Sequence, residues 1–529
     1  MSGKASMSER PEQVDFSDEA SIEAYAQRLE GMTFQDVLAL GIYSPRARAK
    51  EERLAAKGEK DEYGRIGYKG GVGNLIEERY FGYDANSDER PDFPAAGVEL
   101  KTTCFDMKKG GVPSAGERLS ITMIPFDRPV DMEFESSHLW EKSHRILLVF
   151  YRRDRKVGKY DQVIKYVTLF TPPEKDLAII REDFETIIKL VREGRADELS
   201  EGLTTYLGAA TKGASESKMW VEQYYPRLTV EGTGERRLAK RRVFSFKRQY
   251  MDYVLNNYVI PGRAKARRHA KLAMSRGTAE LDSGVTSILD KPLGPGETFA
   301  GRIEQTVARY IGHTDEDLRK SFGIKLNKST WVTIARRILG ITGNHVEEFR
   351  KANISLRVIR VEANGHIKES LSFAPFEFED LLAEPSWYDS NLFACLDEMK
   401  FCFVIFRRKK VGGPFYLDSV RLWNMPEADI EHSARACWER TRAVVREGVA
   451  LLPRIGKSGK VTYANNLPAQ ADNEAVHVRP HANRAAYRFA DGAEVGNIKR
   501  DASRLPDGRW MTKQSFWLNS GYLKAQLLG

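Results

Sequence analysis

The residues of this sequence best suited to chemistry are two carboxylates and a lysine: Asp92, Glu99 and Lys101. Side chains alternate along a β-strand, so Glu99 and Lys101 would point to one face while Val98 and Leu100 point to the other. Asp92 precedes this strand and can approach the same point from an adjoining strand or turn. Two carboxylates beside an ammonium group form a site for a hard cation that prefers oxygen ligands.

Such a site is suited to phosphodiester hydrolysis. A bound cation polarises the phosphoryl oxygens and lowers the pKa of a bound water, while a lysine can orient that water or stabilise the pentavalent charge. We therefore predict that Asp92 and Glu99 bind Mg²⁺ and that Lys101 assists cleavage. Glu and Lys two residues apart on a strand also form an ordinary surface pair, so the spacing alone leaves both interpretations open.

Composition narrows the class of protein. A chain of 529 residues exceeds the size of a single hydrophobic core, which predicts at least two domains. No apolar run approaches the roughly 18 residues that span a bilayer, and the first residues contain no apolar signal-peptide core, so we expect a cytoplasmic protein without a membrane partner. The net charge of +9 favours a polyanionic partner, and bases are concentrated in residues 236–248 and 262–268.

The sequence also contains an internal repeat. Residues 184–194 resemble residues 438–448, and the segment 148–153 resembles 403–408. A period of about 255 residues is too long for a solenoid, so we predict two copies of one domain. Two further matches, in the same order, pair 29–33 with 310–314 and 244–247 with 510–513. The predicted organisation is a flexible tail (1–18), a first domain (19–259), a basic linker containing Gly and Pro (260–298) and a second domain (299–529).

Hydrophobic patterning predicts that each copy begins with helices and continues with short strands flanked by helices, which is an α/β class with a mixed sheet. Strands are predicted at 98–103, 145–151, 164–170, 355–359 and 401–406, and helices at 183–192 and 431–446.

Two more segments, one on each side of the region from 91 to 102, contain residues that could belong to the same site. A glycine-rich stretch, 69–73, leads into Glu77, and Lys142 closes the segment 135–142. Together with the region from 91 to 102, they resemble the MutH family of DNA endonucleases, which joins the mismatch-repair nicking enzyme to restriction enzymes that cut at GATC. The resemblance covers residues from about 22 to 258 and extends more faintly into the second half.

The resemblance implies two tandem restriction-endonuclease-like domains, each a mixed β-sheet flanked by helices. It places Asp92, Glu99 and Lys101 on the catalytic triad of the family. It further implies that Glu77 is an additional acidic residue of the site and that Lys142 acts near the scissile phosphate.

In the second copy, the alignment replaces the residues of this site. Ser355 stands in place of Glu99 and Arg357 in place of Lys101, so we expect little affinity for a cation. The remaining replacements are Glu348 for Asp92, Ala335 for Glu77 and Asp397 for Lys142.

What the second copy keeps, by the same resemblance, is the reading of DNA. Residues 477–482 resemble the specificity loop of the family, in which an arginine followed by proline reads guanine, so Arg479 and Pro480 are the predicted reading residues. Residues 505–514 resemble the terminal DNA-contact segment and include Lys513. The contacts predicted in the first copy are Lys69, Lys212 and Lys247.

We therefore predict a type II restriction endonuclease of the two-site kind (IIE). It would cut double-stranded DNA at GATC while the second copy binds another site as an allosteric effector. One cutting centre per chain implies a DNA-induced homodimer or successive nicks, and a companion DNA methyltransferase would belong to the system without being bound.

The alternatives are a methyl-directed mismatch-repair nicking endonuclease, a non-catalytic DNA-binding scaffold, and a nuclease for RNA or single strands. For the last, no aromatic stacking platform is evident.

Overall fold

The first half of the chain carries two β-sheets and the helices that cover them. This computed structural model describes residues 14–58, 71–85, 90–108, 110–130, 133–212, 219–229, 232–260, 285–289, 291–294, 296–341, 345–367, 371–455 and 461–529. The α-helices of the first half are α1 (Glu19–Gln27), α2 (Phe34–Ala39), α3 (Pro45–Ala55), α4 (Val72–Ile76), α5 (His138–Ser143), α6 (Glu174–Arg192) and α7 (Arg248–Val254). Its strands are β1 (Glu99–Lys108), β2 (Val112–Ala115), β3 (Leu119–Met123), β4 (Ile146–Arg152), β5 (Val163–Phe170), β6 (Leu207–Thr211), β7 (Trp220–Glu222), β8 (Leu228–Thr229), β9 (Gly232–Thr233), β10 (Leu238–Lys240) and β11 (Arg242–Phe246).

The sheet that carries the predicted site has the strand order β2-β1-β4-β5. Strands β1 and β4 are parallel, and the other two pairs are antiparallel. Leu100 packs with Leu147 and Val149 in a core on one side of this sheet. Because side chains alternate along β1, Glu99 and Lys101 lie on the opposite side, as the sequence predicts.

The second half contains a corresponding set of elements. Its α-helices are α8 (Phe299–Ala308), α9 (Asp315–Ser321), α10 (Thr330–Ile338), α11 (Glu347–Ala352), α12 (Phe378–Ala383), α13 (Asn391–Glu398), α14 (Glu427–Asp429), α15 (Arg435–Glu447), α16 (Ile498–Asp501) and α17 (Ser520–Leu528). Its strands are β12 (Val285–Thr286), β13 (His345–Val346), β14 (Ile354–Val361), β15 (Leu371–Ser372), β16 (Lys400–Arg408), β17 (Phe415–Trp423), β18 (Leu452–Ile455), β19 (Val461–Ala464), β20 (Val476–Pro480), β21 (Tyr487–Arg488), β22 (Glu494–Val495), β23 (Ala502–Arg504), β24 (Trp510–Thr512) and β25 (Gln514–Leu518). Short 3-10 and π turns connect several elements: Phe134–Ser136, Lys159–Asp161, Ala196–Glu198, Trp387–Asp389, and Glu77–Phe81, Leu255–Val259, Ile430–Ala434. The mixed sheets flanked by helices confirm the α/β class.

The two halves share a pattern of strand pairing. In the second half, β14 is parallel to β16 and β16 is antiparallel to β17, as β1, β4 and β5 are in the first. A three-stranded antiparallel sheet accompanies each of these, with order β3-β11-β6 in the first half and β15-β25-β20 in the second. In both halves the middle strand of the smaller sheet leads directly into a helix, α7 or α17.

Buried charges join the two halves. Lys351 of α11 contacts Asp176 of α6 at 2.7 Å, and these side chains are 4% and 3% exposed. The carboxylate of Glu427 forms ion pairs with Lys240 and Arg242, at 2.6 and 2.8 Å. One apolar core also contains residues from both halves. Part of the predicted linker, 261–284 with residues 290 and 295, lies outside the described residues; in the rest, β12 pairs in parallel with β13.

None of the described helices combines the length and apolar composition that crossing a membrane would require.

The pair formed by Lys351 and Asp176 gives a test of this contact. Removing one partner of a buried ion pair leaves a charge without compensation, so Lys351→Met should lower the free energy of unfolding by about 3 kcal/mol. The double variant Lys351→Met/Asp176→Asn should recover part of that loss. Urea denaturation measures the free energy of unfolding of both variants. Lys320→Met, which breaks an exposed pair with Glu316, should cost less than about 1 kcal/mol; equal losses in Lys351→Met and Lys320→Met would contradict the expectation.

Candidate active site

Strand β1 presents a carboxylate and an ammonium group to the same point. Glu99 is 1% exposed, and Lys101, two residues along the same face, donates a hydrogen bond to its Oε1. Lys142, from α5, places its Nζ 3.4 Å from Oε2 of the same carboxylate. A carboxylate buried to this extent needs compensating positive charge, and the two lysines provide it.

Asp92 reaches this point from the turn that precedes β1. The turn is closed by a bridge between Phe93 and Val98, and Oδ2 of Asp92 accepts a hydrogen bond of 2.8 Å from the Leu100 amide. Burial, followed in size by the neighbouring charge of Glu99, raises the pKa of Asp92 to about 6. The side chain predicted from the sequence as the partner of Glu99 is therefore adjacent to it.

Glu77 joins the same cluster from the other side. It is the first residue of the π turn that follows α4, and such turns are frequent at functional sites. Burial, and then the charge of Asp92, raises the pKa of Glu77 to about 7, and Glu99 contributes in the same direction. The structure thus brings together all five residues predicted to be catalytic: Glu77, Asp92, Glu99, Lys101 and Lys142.

The chemistry of this cluster fits a hard cation. Oε2 of Glu99 is buried and accepts no hydrogen bond within the described part of the chain. Burial and neighbouring carboxylates raise the pKa values of Asp92 and Glu77 more than the nearby lysines lower them. In the described ranges no three Asp, Glu, His or Cys side chains converge closely enough to enclose an ion by themselves. Two carboxylates would therefore hold it and leave the other positions to water and phosphate oxygens, as Mg²⁺ prefers.

One member of this cluster was missed by sequence reasoning. The hydroxyl of Tyr83 is buried and has no hydrogen-bond partner among the described residues. Its pKa is raised well above the ordinary value, first by burial and then by the charge of Asp92, Glu77 and Glu99. A tyrosine following a glycine carries no sequence signal of this kind, because only the turn after Phe81 brings it back toward the carboxylates.

The strand register places the replacements of the second copy where the alignment predicts them. Lys101 is opposite Leu148 and Arg357 is opposite Phe403, and Leu148 and Phe403 are repeat equivalents. Ser355, two residues before Arg357, therefore occupies the position of Glu99. The described second half offers no carboxylate on that strand face.

The two acids of the second copy have other partners. Glu348 accepts hydrogen bonds from the amides of Ile288 and Leu289, at 3.0 and 3.2 Å, and so holds the segment that joins the halves. Asp397 accepts a bond of 3.2 Å from the Glu201 amide of the first half. Both acids stabilise the contact between the halves.

The predicted DNA-reading residues of the second copy lie close together. Arg479 and Pro480 end β20 and are exposed, and the Arg479 guanidinium lies 5.0 Å from the centre of the Trp517 ring. The amide of His481, the next residue, donates to the carbonyl of Lys513 at 2.8 Å. All three predicted residues are therefore at the same edge of the β15-β25-β20 sheet.

At the corresponding edge of the first half, the structure corrects the predicted counterpart of Lys513. The amide of Lys212, which follows β6, donates to the carbonyl of Arg241 at 2.8 Å, as His481 does to Lys513. Arg241, not Lys247, is thus the counterpart of Lys513, and it is exposed. The pairing of 244–247 with 510–513 is wrong by this geometry, because β11 corresponds to β25.

Lys247 itself is enclosed by the protein. It is 3% exposed and its Nζ donates a hydrogen bond of 2.6 Å to the Thr204 carbonyl. Asp183 and Glu201 are among the acids whose charge acts on it. In this structure its ammonium group has no access to DNA. Lys69 lies outside the described residues.

Comparison with known proteins agrees with the fold. The family model of the DNA mismatch repair enzyme MutH matches residues 81–183, which contain Asp92, Glu99, Lys101 and Lys142. The DNA mismatch repair protein MutH of Shigella boydii is 26% identical over 246 residues, which are 46% of this chain and 93% of that protein. Its counterpart in Escherichia coli K12 gives the same identity and coverage.

A relative of greater length accounts for the rest of the chain. The type II restriction enzyme Sau3AI of Staphylococcus aureus is 32% identical over 487 residues, which are 87% of this chain and 92% of that enzyme. Since the identity extends through both halves, the chain belongs to the MutH-like family of type II restriction endonucleases.

The raised pKa of Glu77 predicts a pH-dependent effect on stability. Without metal, ionising Glu77 costs folding free energy; the cost is absent below pH about 4.5 and complete above pH about 7. Glu77→Gln should therefore raise the free energy of unfolding by up to about 3 kcal/mol at pH 8, and leave it unchanged at pH 4.5. Urea unfolding in a chelator, with the exposed Glu235→Gln as control, measures this. An equal gain at both pH values would argue against the burial of a charged Glu77.

Proposed function

We propose that this protein is a type II restriction endonuclease that cuts double-stranded DNA at a short specific site, GATC, with Mg²⁺ as cofactor. The observation that carries the proposal is the convergence of Asp92, Glu99, Lys101 and Lys142 at the start of β1. The 32% identity to a type II restriction enzyme over both halves supports the same activity.

In this mechanism Asp92 and Glu99 would hold the ion, which supplies a polarised phosphoryl group and a water of lowered pKa. Lys101, whose ammonium group already contacts Glu99, would orient the attacking water. Lys142, 3.4 Å from the same carboxylate, would stabilise the negative charge that develops on the scissile phosphate. Glu77 and Tyr83 border the site and would restrict where the water can sit.

The second half would bind another copy of the site and act as an effector. Its strand face has Ser355 and Arg357 where the first half has Glu99 and Lys101, so it would not cut. Arg479, Pro480 and Lys513 would read DNA there, and Lys212 and Arg241 would contact it in the first half. Because each chain has one cutting centre, double-strand cleavage would require two chains on DNA or successive nicks.

A mismatch-repair nicking role is the less favoured alternative. The MutH proteins align with 46% of the chain, and their family model falls in its first half, so they offer no counterpart for the whole second half. Restriction would also require a companion methyltransferase to protect host DNA, acting on the same sites without joining this protein.

Digestion of an unmethylated plasmid tests the cutting centre. Asp92→Asn and Lys142→Met should each lower the cleavage rate by at least about 100-fold, the effect of losing one group that stabilises charge in a transition state. Asp127→Asn, which changes an exposed aspartate of the same half, should cut as the wild type does. Cutting should stop in a chelator and return with Mg²⁺. Undiminished cleavage by Asp92→Asn would overturn the assignment.

The effector role predicts faster cleavage of a plasmid with two sites than of one with a single site. Arg479→Ala should bring the two rates together, because the second half would no longer retain its DNA. Arg440→Ala, an exposed position on α15, serves as the charge-matched control and should keep the difference. Equal rates on both plasmids with the wild-type protein would contradict the two-site mechanism.

A further inference from the structure

The part of the second half that corresponds to the candidate active site of the first borders a cleft between the two halves. The cleft has a volume of about 570 Å³. One wall consists of β14 from Ile354 to Arg357 with parts of α10 and α11, and the other comes from the first half, including Lys108 at the end of β1 and Asp252 of α7. The position that corresponds to the catalytic strand face is therefore open to a ligand, and it is bordered by both copies.

Positive charge dominates this cleft. Four cationic side chains line it: Lys108, Arg336, Arg350 and Arg357. None of the four forms an ion pair with an acid among the described residues; the one hydrogen bond of Arg357 is a contact of 3.5 Å with the Leu356 carbonyl. Asp252 is the acid in the lining, and its Oδ1 already accepts a bond of 3.0 Å from the Ala115 amide.

This arrangement reverses the charge of the first copy's site. There, the buried carboxylates of Asp92 and Glu99 lie near each other, and we propose that they hold a cation. Here, Ser355 and Arg357 occupy the strand positions of Glu99 and Lys101, and further arginines extend from the two adjoining helices. Guanidinium groups with unused donors match the oxygens of a phosphate group, which they bind through paired hydrogen bonds.

We propose that this cleft is a phosphate-binding site, in which arginine side chains replace the metal ion as the positive charge that meets the phosphate. The phosphate would belong to the DNA backbone or be a free phosphate anion, since the chemistry is the same for both. The proposal does not depend on cutting by the first half. It requires only that a phosphate group enters the cleft.

The site would also connect the two halves. Lys108 ends the strand that begins with Glu99, whereas Arg357 belongs to β14 of the second half. A phosphate held between them would be contacted by both copies. Its binding would therefore stabilise the relative position of the two halves seen in this structure.

Duplex binding in the absence of metal tests the proposal on the full chain. Each phosphate contact contributes about 0.9 to the slope of log affinity against log salt concentration. The double variant Arg336→Gln/Arg357→Gln should lower this slope by about 1 to 2, and weaken binding to any duplex by about 10-fold at fixed salt. Arg440→Gln should leave both quantities unchanged. Lys108→Gln, on the opposite wall, should reproduce part of the loss.

A second measurement distinguishes the source of the phosphate. Thermal unfolding is followed in inorganic phosphate and in chloride of equal ionic strength, because a ligand that binds the native state raises the melting temperature. A lower salt slope in the double variant assigns the cleft to the DNA backbone. An unchanged slope, with a phosphate-dependent stabilisation that the double variant loses, assigns it to free phosphate. An unchanged slope with no stabilisation that depends on these arginines overturns the proposal. Since both measurements exclude metal, a failure of the cleavage assay would leave them interpretable.

Discussion

A carboxylate withdrawn from water as fully as that of Glu99 is stable only beside positive charge, and the catalytic half is arranged around this requirement. Lys101 meets it from the same strand, and Lys142 meets it from α5 because β1 and β4 are parallel neighbours and α5 leads into β4. Two more carboxylates, those of Asp92 and Glu77, are compensated only in part, so burial and the charge of neighbouring carboxylates raise their pKa values. A divalent cation would supply the missing charge. The electrostatics of the site thus favour the same activity that its residue types suggest.

The second half pairs its strands as the first does but carries different charges at the corresponding positions. The strand framework is retained, yet the acids at or near the corresponding positions hold the two halves together: Glu348 binds the joining segment and Asp397 binds the backbone at Glu201. Arginine then occupies the strand face that lost its carboxylate. The positions of the candidate cation site thus correspond, in the second half, to contacts between the halves and to a cleft lined by positive charge.

Much of this arrangement could be predicted from local sequence. The strand predicted at 98–103 is the first part of β1, and the one predicted at 401–406 lies within β16, because alternation and short apolar runs report strands directly. The helix predicted at 183–192 is only the second part of α6. Contacts between distant segments were not predictable. Tyr83 enters the site through a turn, and Lys247 is held by the Thr204 carbonyl and by acids distant in sequence. Arg241 is identified as the counterpart of Lys513 only by the strand pairing. None of these relations leaves a pattern in the sequence.

The cations Lys240 and Arg242 belong to the first half, but their shared counter-charge, Glu427, belongs to the second. The same holds for Asp176 and Lys351 with the roles reversed. A gene shortened to the first copy would therefore encode a domain with unmatched charges and an opened apolar core, even though every residue proposed to cut DNA was present. The second half therefore supports the fold of the first through these contacts, irrespective of its role on DNA.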